Sequence, residues 1–251
     1  MSDVGNSLYQ HPALYDAEFY GYRADVRFYA MAVARHPGRV VELGCGTGRL
    51  LMSLDVADYV GVDLAPAMLQ MLRWRASAVG QPPPVLRADL RALPLRDGSA
   101  ALCILAYNVL QHMMELTDLV ACLSEAARVA GPGGAVALDT FMPPLPGMSR
   151  EDEGYGWVEQ RRHPQGYVMD VAERTVHNPA TEVQVTQLRF QPRVAQAGEQ
   201  EVTITRRLWH AEALVHALTR AGLRVEILWG DVDGEAWTPR APRFMAVCRR
   251  A

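Results

Sequence analysis

Residues 39–141 alternate between short apolar runs and segments with helical spacing, and this alternation limits the fold more than any other feature. The runs that predict strands are Arg39–Leu43, Tyr59–Asp63, Pro84–Ala88, Ala100–Ala106 and Ala135–Asp139. The patterns between them predict a short helix through Leu50, Leu51 and Leu54, a helix over Ala67–Ala78 after Pro66, and a helix over Thr117–Ala130 closed by Gly131. Such alternation predicts a parallel sheet with right-handed crossovers and helices on both faces.

The flanking segments follow other patterns. Residues 1–36 are rich in aromatic side chains at helical spacing and end at His36-Pro37-Gly38. Residues 142–208 contain three turn signals between β-rich segments, which predicts an antiparallel meander of about four strands. The last part returns to the first pattern, with a helix over His210–Ala221 and strands over Leu223–Leu228 and Arg243–Cys248.

These patterns predict a division of the chain into three parts. Residues 1–36 form an N-terminal helical segment, residues 37–142 and 209–251 form an α/β core, and residues 143–208 form an antiparallel β insertion. We interpret the meander as an insertion within one α/β domain rather than as an independent domain.

A glycine-rich loop follows the first predicted strand, in the segment Val40-Val-Glu-Leu-Gly-Cys-Gly-Thr-Gly48. A strand, loop and helix in this order is where α/β folds bind nucleotides, because glycine lets the backbone approach a ligand closely. The spacing is G-x-G-x-G after a glutamate, whereas the dinucleotide fingerprint is G-x-G-x-x-G. This difference disfavours a nicotinamide oxidoreductase.

Carboxylates end the next two predicted strands. Asp63 ends the second strand, where it can accept hydrogen bonds from both hydroxyls of a ribose. Asp89 ends the third strand, where it can accept from an exocyclic amine such as adenine N6, or instead cap the turn before Arg91. The three strand ends therefore supply a glycine turn, a ribose acceptor and an adenine acceptor.

The basic residues exclude several other classes. All 25 are arginine, so Schiff-base enzymes, Walker A nucleotide-binding proteins and kinases that need a phosphate-binding lysine are excluded. The formal net charge of −3 gives no general attraction to nucleic acid. A metal-dependent transferase would need several clustered carboxylates near the fifth predicted strand. Asp139 at the end of that strand does not make such a cluster by itself, so we predict no metal.

Five segments in this order resemble the class I S-adenosylmethionine-dependent methyltransferases. They are Glu42–Gly48, Gly61–Met68, Ala88–Leu90, Ala106–His112 and Gly131–Gly134. The resemblance covers about residues 13–142. It implies a Rossmann-like, seven-stranded, mostly parallel sheet whose last strand runs antiparallel, with S-adenosyl-L-methionine as cofactor and S-adenosyl-L-homocysteine as product.

The resemblance also assigns cofactor contacts by position. The glycine loop would underlie the methionine and ribose parts, Glu42 would orient the amino group, Asp63 would hold the ribose, and Asn108 would approach the methionine part. Met68 either flanks the adenine or belongs to the core of its helix. The complete set of implied contacts in the core is Glu42, Gly44, Cys45, Gly46, Gly48, Asp63, Leu64, Met68, Asp89, Leu90 and Asn108.

The N-terminal segment resembles the lid of small-molecule methyltransferases, in which a tyrosine or arginine binds the methionine carboxylate. Tyr15 and Arg23 are the candidates here, because an arginine fork matches a carboxylate. The alternative for Arg23 is a surface charge. The insertion would form a wall of the acceptor pocket or a dimer contact.

Two residues are candidates for the chemistry. His112 follows Asn108 by four residues and is the candidate general base, with a structural histidine as the alternative. Tyr22 is the second candidate, as a contact for the acceptor. Methyl transfer from a sulfonium is an in-line displacement, so alignment of the reactants is the enzyme's main contribution.

The sequence thus predicts a methyltransferase that modifies an oxygen or nitrogen atom of a small molecule. The alternatives are a non-catalytic S-adenosylmethionine-binding module and a methyltransferase acting on a macromolecule. The segment after the fourth strand lacks the Asn/Asp-Pro-Pro-aromatic run of DNA N-methyltransferases, and no cysteine follows a proline, so no nucleic-acid partner is predicted. We also predict no membrane contact, a cytoplasmic location, and a monomer or homodimer.

Overall fold

The computed structural model describes residues 6–78, 80, 82–143, 154–194 and 197–251. These residues sort into two compact units. One contains the described parts of Met1–Tyr22 and Pro144–Leu208, and the other contains those of Arg23–Pro143 and Trp209–Ala251. Residues 23–36 therefore group with the α/β core, whereas the predicted division kept residues 1–36 together.

The larger unit is built on a seven-stranded sheet. Its strands are β1 (Val40–Leu43), β2 (Tyr59–Asp63), β3 (Val85–Arg87), β4 (Leu102–Leu105), β5 (Ala135–Phe141), β10 (Leu223–Trp229) and β11 (Arg243–Arg250). Their order in the sheet is β10-β11-β5-β4-β1-β2-β3. Strands β1 to β5 are parallel, and β11 runs antiparallel to both β5 and β10. The predicted seven-stranded, mostly parallel sheet with an antiparallel last strand is confirmed.

Helices cover both faces of this sheet, because each central strand is apolar on both sides. Helices α2 (Val26–Arg35) and α3 (Pro66–Ser77) pack on one face, with Phe28 and Leu72 completely buried. Helices α4 (Leu116–Ala130) and α5 (Ala211–Arg220) pack on the other. Helix α3 begins at Pro66, and α4 ends before Gly131 at φ 66°, as the sequence signals predict.

The predicted helix through Leu50, Leu51 and Leu54 is not a regular helix but a series of turns. The Ser53 hydroxyl donates to the Arg49 carbonyl at 2.7 Å, and the Ser53 amide donates to Leu50 at 2.8 Å. The Leu54 amide also donates to the Leu50 carbonyl, at 2.9 Å, so the amide bonds mix three- and four-residue spacings and do not form a regular helix.

The smaller unit contains a four-stranded antiparallel sheet, which confirms the predicted meander. Its strands are β6 (Gly156–Arg162), β7 (Val168–Asn178), β8 (Val183–Pro192) and β9 (Gln200–Arg207). The N-terminal chain packs on this sheet through a 3₁₀ turn, Ser7–Gln10, and helix α1 (Pro12–Tyr15). Leu8 and Leu14 share a hydrophobic cluster with side chains of β7, β8 and β9. This burial explains why residues 6–22 group with the insertion.

Two further observations concern the whole described chain. The four cysteines are free and buried. No helix among the described residues is long and apolar enough to cross a membrane.

Candidate functional site

The glycine loop lies between β1 and the turns that follow it. Gly44, Gly46 and Gly48 have φ angles of 79°, 54° and 86°, a region in which other residues are strained. A Cβ atom on Gly44 would lie 2.3 Å from Cγ2 of Val109, so no larger residue fits there. Gly44 and Gly46 are partly exposed, whereas the Cys45 side chain is buried. The loop therefore presents backbone, not side chains, to a ligand.

Asp63 connects this loop to the end of β2. Its Oδ2 accepts a hydrogen bond from the Gly46 amide at 2.8 Å, and its Oδ1 accepts from the Ala65 amide at 2.9 Å. Burial raises the pKa of this carboxyl, and the amide bonds oppose that effect. Each carboxylate oxygen can accept a second bond, so Asp63 can hold the loop and still accept from hydroxyl groups.

Glu42 is the last charged residue before the loop and is 4% exposed. Its Oε2 accepts a 2.6 Å hydrogen bond from the Tyr59 hydroxyl. Burial raises the pKa of Glu42 to about 7, although the Tyr59 bond and the nearby Arg49 charge lower it. Glu42 therefore titrates near neutral pH, and a cationic amino group placed beside it would favour the ionised form.

Asp89 caps the turn after β3, which is the alternative that the sequence left open. The Arg91 amide donates to its Oδ1 at 2.9 Å, and the Arg91 guanidinium binds both carboxylate oxygens at 3.0 and 2.6 Å. Arg91 also bonds Asp118 at 2.8 Å. These bonds lower the pKa of Asp89, so the carboxylate is ionised and firmly oriented. A contact with adenine stays a prediction.

Three apolar residues were assigned to the adenine region, and their exposures differ. Leu64 is 45% exposed, next to Asp63. Leu90 is 7% exposed and belongs to the core cluster beneath α4. Met68 is 1% exposed on α3, which agrees with the core alternative. Of the three, Leu64 has the side chain that is most accessible to a ligand.

Asn108 lies just after β4, where the backbone turns sharply. Asn108 has φ 67° and Tyr107 has φ 54°, so two successive non-glycine residues are left-handed. The Asn108 side chain is buried, and its Oδ1 accepts from the Phe141 amide at 2.7 Å. His112 ends the 3₁₀ turn Val109–His112 and is half-buried. The structure thus brings Asn108 and the loop together through Val109.

A buried ion pair beside the loop was missed by the sequence reasoning. The Arg49 guanidinium binds both carboxylate oxygens of Asp25, at 2.7 and 2.6 Å. The two side chains are 7% and 0% exposed. Arg49 also lies over the Tyr107 ring, at 5.1 Å from its centroid. An arginine directly after the glycine motif was the available signal, but nothing in the sequence identified its partner.

The remaining predicted residues belong to the N-terminal part of the chain. Arg23 is exposed at the start of the larger unit, before α2. Tyr15 and Tyr22 belong to the smaller unit, and the Tyr15 ring packs 5.2 Å from Phe19 and 5.9 Å from Tyr9. Their assignments to the cofactor carboxylate and the acceptor stay predictions.

These observations fit a nucleoside cofactor at the ends of β1, β2 and β4. The loop offers accessible backbone at Gly44 and Gly46, and Asp63 offers oriented acceptor positions. Glu42 offers a carboxyl that ionises near neutral pH. Among the described residues, no group of three or more histidine, cysteine, aspartate or glutamate side chains is placed to hold a metal ion.

Comparison with known proteins relates part of the chain to a methyltransferase family. Residues 40–134 match a family model described as a methyltransferase domain, and this range runs from β1 to the residue before β5. A crystal structure of an S-adenosylmethionine-dependent methyltransferase from Clostridium acetobutylicum has a TM-score of 0.81 at 14% identity, over 98% of this chain and 100% of that one. The resemblance to class I S-adenosylmethionine-dependent methyltransferases and the predicted fold are confirmed.

Two curated relatives match part of the chain. The malonyl-[acyl-carrier protein] O-methyltransferase of Halorhodospira halophila is 45% identical over 112 residues, which are 43% of this chain and 36% of that protein. The demethylmenaquinone methyltransferase of Thermus thermophilus is 35% identical over 121 residues, which are 47% of this chain and 53% of that protein. Both matches cover less than two thirds of the relative's own length.

Proposed function

We propose that this protein is an S-adenosylmethionine-dependent methyltransferase that methylates an oxygen or nitrogen atom of a small molecule. The observation that carries the proposal is the bond from the Gly46 amide to Asp63, within the matched methyltransferase domain. This bond joins the loop predicted to underlie the methionine part to the carboxylate predicted to hold the ribose. The two curated relatives act on different acceptors by name, so their likeness supports the reaction class and not one acceptor.

The residues of the core would act mainly by binding and orientation. The cofactor supplies a methyl group on a sulfonium, which is already activated for transfer. Asp63 would hold the ribose hydroxyls, Glu42 would orient the amino group, and Asn108 would approach the methionine part. Tyr15 and Arg23 are proposed for the carboxylate, and the adenine would lie near Leu64, Asp89 and Leu90. Alignment and exclusion of water would then accelerate the displacement.

Asp63→Ala tests the cofactor assignment. We expect S-adenosylhomocysteine to bind about thirtyfold more weakly or worse, because two charge-assisted hydrogen bonds to the ribose are lost. Isothermal titration calorimetry measures the change, and Asp58→Ala, an exposed aspartate just before β2, serves as the control. Unchanged affinity in the Asp63 variant would contradict the proposal.

Transfer of a labelled methyl group to amines, phenols and carboxylates tests catalysis and the acceptor together. Transfer to any of these classes supports the small-molecule function. Tight binding of the cofactor without transfer to any of them would favour the non-catalytic module, and transfer only to a protein or nucleic acid would favour a macromolecular substrate.

His112→Ala tests the proposed general base. With an acceptor found in that screen, we expect turnover to fall about tenfold or more while cofactor affinity stays unchanged, because only the proton transfer is lost. His216→Ala, at an exposed position of α5, is the matched control. A loss of folding or of cofactor affinity in the His112 variant would instead assign this histidine a structural role.

A further inference from the structure

The backbone just after β4 is held in a conformation that its residues do not prefer. Tyr107 has φ 54° and Asn108 has φ 67°, and neither is glycine. Side chains with a Cβ atom are strained in this region, so such a pair persists only where the surrounding structure holds it.

Strand β5 supplies the hydrogen bonds that hold it. The Tyr107 amide donates to Asp139 Oδ1 at 2.6 Å, and the Asn108 amide donates to the Asp139 carbonyl at 3.3 Å. The Phe141 amide donates to Asn108 Oδ1 at 2.7 Å. Asp139 therefore bonds both left-handed residues, one through its side chain and the other through its main chain.

The Asp139 carboxylate is itself fixed from two sides. It is completely buried, and its Oδ2 accepts a 2.6 Å bond from the Arg243 guanidinium on β11. Its Oδ1 also accepts a 2.6 Å bond from the Tyr29 hydroxyl on α2. Arg243 in turn lies over the Phe141 ring, at 4.0 Å from its centroid. A carboxylate with these partners cannot turn away from Tyr107 without leaving a buried charge unpaired.

The turn is in direct contact with the glycine loop. Val109 follows Asn108, and its Cγ2 lies 2.3 Å from the position that a Cβ atom of Gly44 would take. Because packed side chains leave little free volume, a shift of the turn would move Val109 against or away from Gly44. The contacts thus run from Asp139 through the turn to the loop.

We infer that Asp139 is a positioning residue, whose carboxylate holds the left-handed turn Tyr107–Asn108 so that Val109 packs on Gly44 and the loop keeps its binding shape. The inference rests on the proposed function, because it takes this loop as the cofactor site. Asp139 lies outside residues 40–134, the range that matches the methyltransferase domain, so it would be a further residue on which the cofactor site depends.

A pair of matched variants separates the effect of the bond between Tyr107 and Asp139 from the effect of the buried ion pair between Asp139 and Arg243. Both carry Arg243→Met and Tyr29→Phe, so neither buries an unpaired arginine or tyrosine hydroxyl. One adds Asp139→Asn, whose amide oxygen can still accept from Tyr107, and the other adds Asp139→Leu, which cannot. Urea unfolding and calorimetry with S-adenosylhomocysteine are measured on both and on the wild type.

We expect the asparagine variant to bind within about threefold of the wild type and the leucine variant to bind about tenfold or more weakly, because only the latter loses the bond to Tyr107. Leu214→Ala, a buried truncation on α5, controls for general destabilisation and is expected to leave affinity unchanged. Equal affinities in the two Asp139 variants, or an equal loss in Leu214→Ala, would overturn the inference.

Hydrogen exchange provides a second measurement if the leucine variant does not fold. The Tyr107 amide is expected to be protected in the wild type and in the asparagine variant, and exchange as fast as in an exposed loop would overturn the inference. A wild-type protein that fails to bind S-adenosylhomocysteine would overturn the proposed function instead. The exchange measurement would then still decide whether Asp139 holds the turn.

Discussion

Arg49→Met is expected to lower the free energy of unfolding by about 3–5 kcal/mol, because it leaves the Asp25 carboxylate buried without its counter-charge. The Asp25 side chain is 0% exposed, and its carboxylate accepts hydrogen bonds from both terminal guanidinium nitrogens of Arg49 at 2.7 Å or less. Water cannot reach the carboxylate to replace these bonds. Urea unfolding of the two proteins at one pH measures the difference.

Two controls make this prediction specific. Arg39→Met breaks an exposed pair, in which the Arg39 Nε bonds both Asp58 carboxylate oxygens at 3.1 Å and the side chains are 47% and 53% exposed, and we expect a change of less than about 1 kcal/mol. Adding Asp25→Leu to Arg49→Met is expected to recover much of the lost stability, because apolar pairs often replace buried ion pairs without cost. An Arg49→Met variant that is as stable as Arg39→Met would contradict the prediction that the Asp25 carboxylate depends on Arg49 as its buried counter-charge.

Glu42→Gln is expected to gain stability relative to the wild type as pH rises from 5 to above neutral. The difference in unfolding free energy between the two proteins is expected to change by up to about 3 kcal/mol over this range. The pKa of Glu42 is raised from 4.5 to about 7 in the folded protein. Between these values the unfolded chain loses its proton first, so rising pH favours unfolding. In the wild type, the stabilisation that comes from protonated Glu42 is fully present below pH 4.5 and is lost as pH rises through 7. In the variant, glutamine does not titrate, so it has no such pH dependence.

Unfolding free energies of both proteins at pH 5 and pH 8 measure this effect, and Tyr59→Phe is the informative companion variant. The Tyr59 hydroxyl bond favours the ionised carboxylate, so its removal should raise the pKa of Glu42 and extend the loss of stability to higher pH. A difference between wild type and Glu42→Gln that is the same at both pH values would contradict the raised pKa.

Local patterns predicted most of the fold. Strand β2 begins and ends where the apolar run does, and α3 begins at Pro66. The turn signals of the insertion predicted four antiparallel strands. These features depend on periodicity and turn residues a few positions apart, which a sequence displays directly. At Leu50–Leu54 the apolar spacing predicted a helix, whereas the amide bonds mix three- and four-residue spacings, which periodicity does not show.

The N-terminal boundary needed the tertiary structure. Residues 6–22 and α2 share the same aromatic composition, yet they pack in different units. Leu8 and Leu14 are buried against strands more than 150 positions away in the sequence, with Met169 among their neighbours. Composition indicates that such residues are buried but not what buries them.

Some residues of the candidate site could likewise be identified from the sequence, and others only from the tertiary structure. The sequence alone determined the glycine loop and Asp63, because their chemistry lies in residue type and in position at the ends of consecutive strands. Only the tertiary structure decided that Asp25 pairs with Arg49 and that Asp139 pairs with Arg243, 104 positions away. A charge is costly to bury unless folding brings a partner to it, and that partner is chosen by contact in space and not by spacing along the chain.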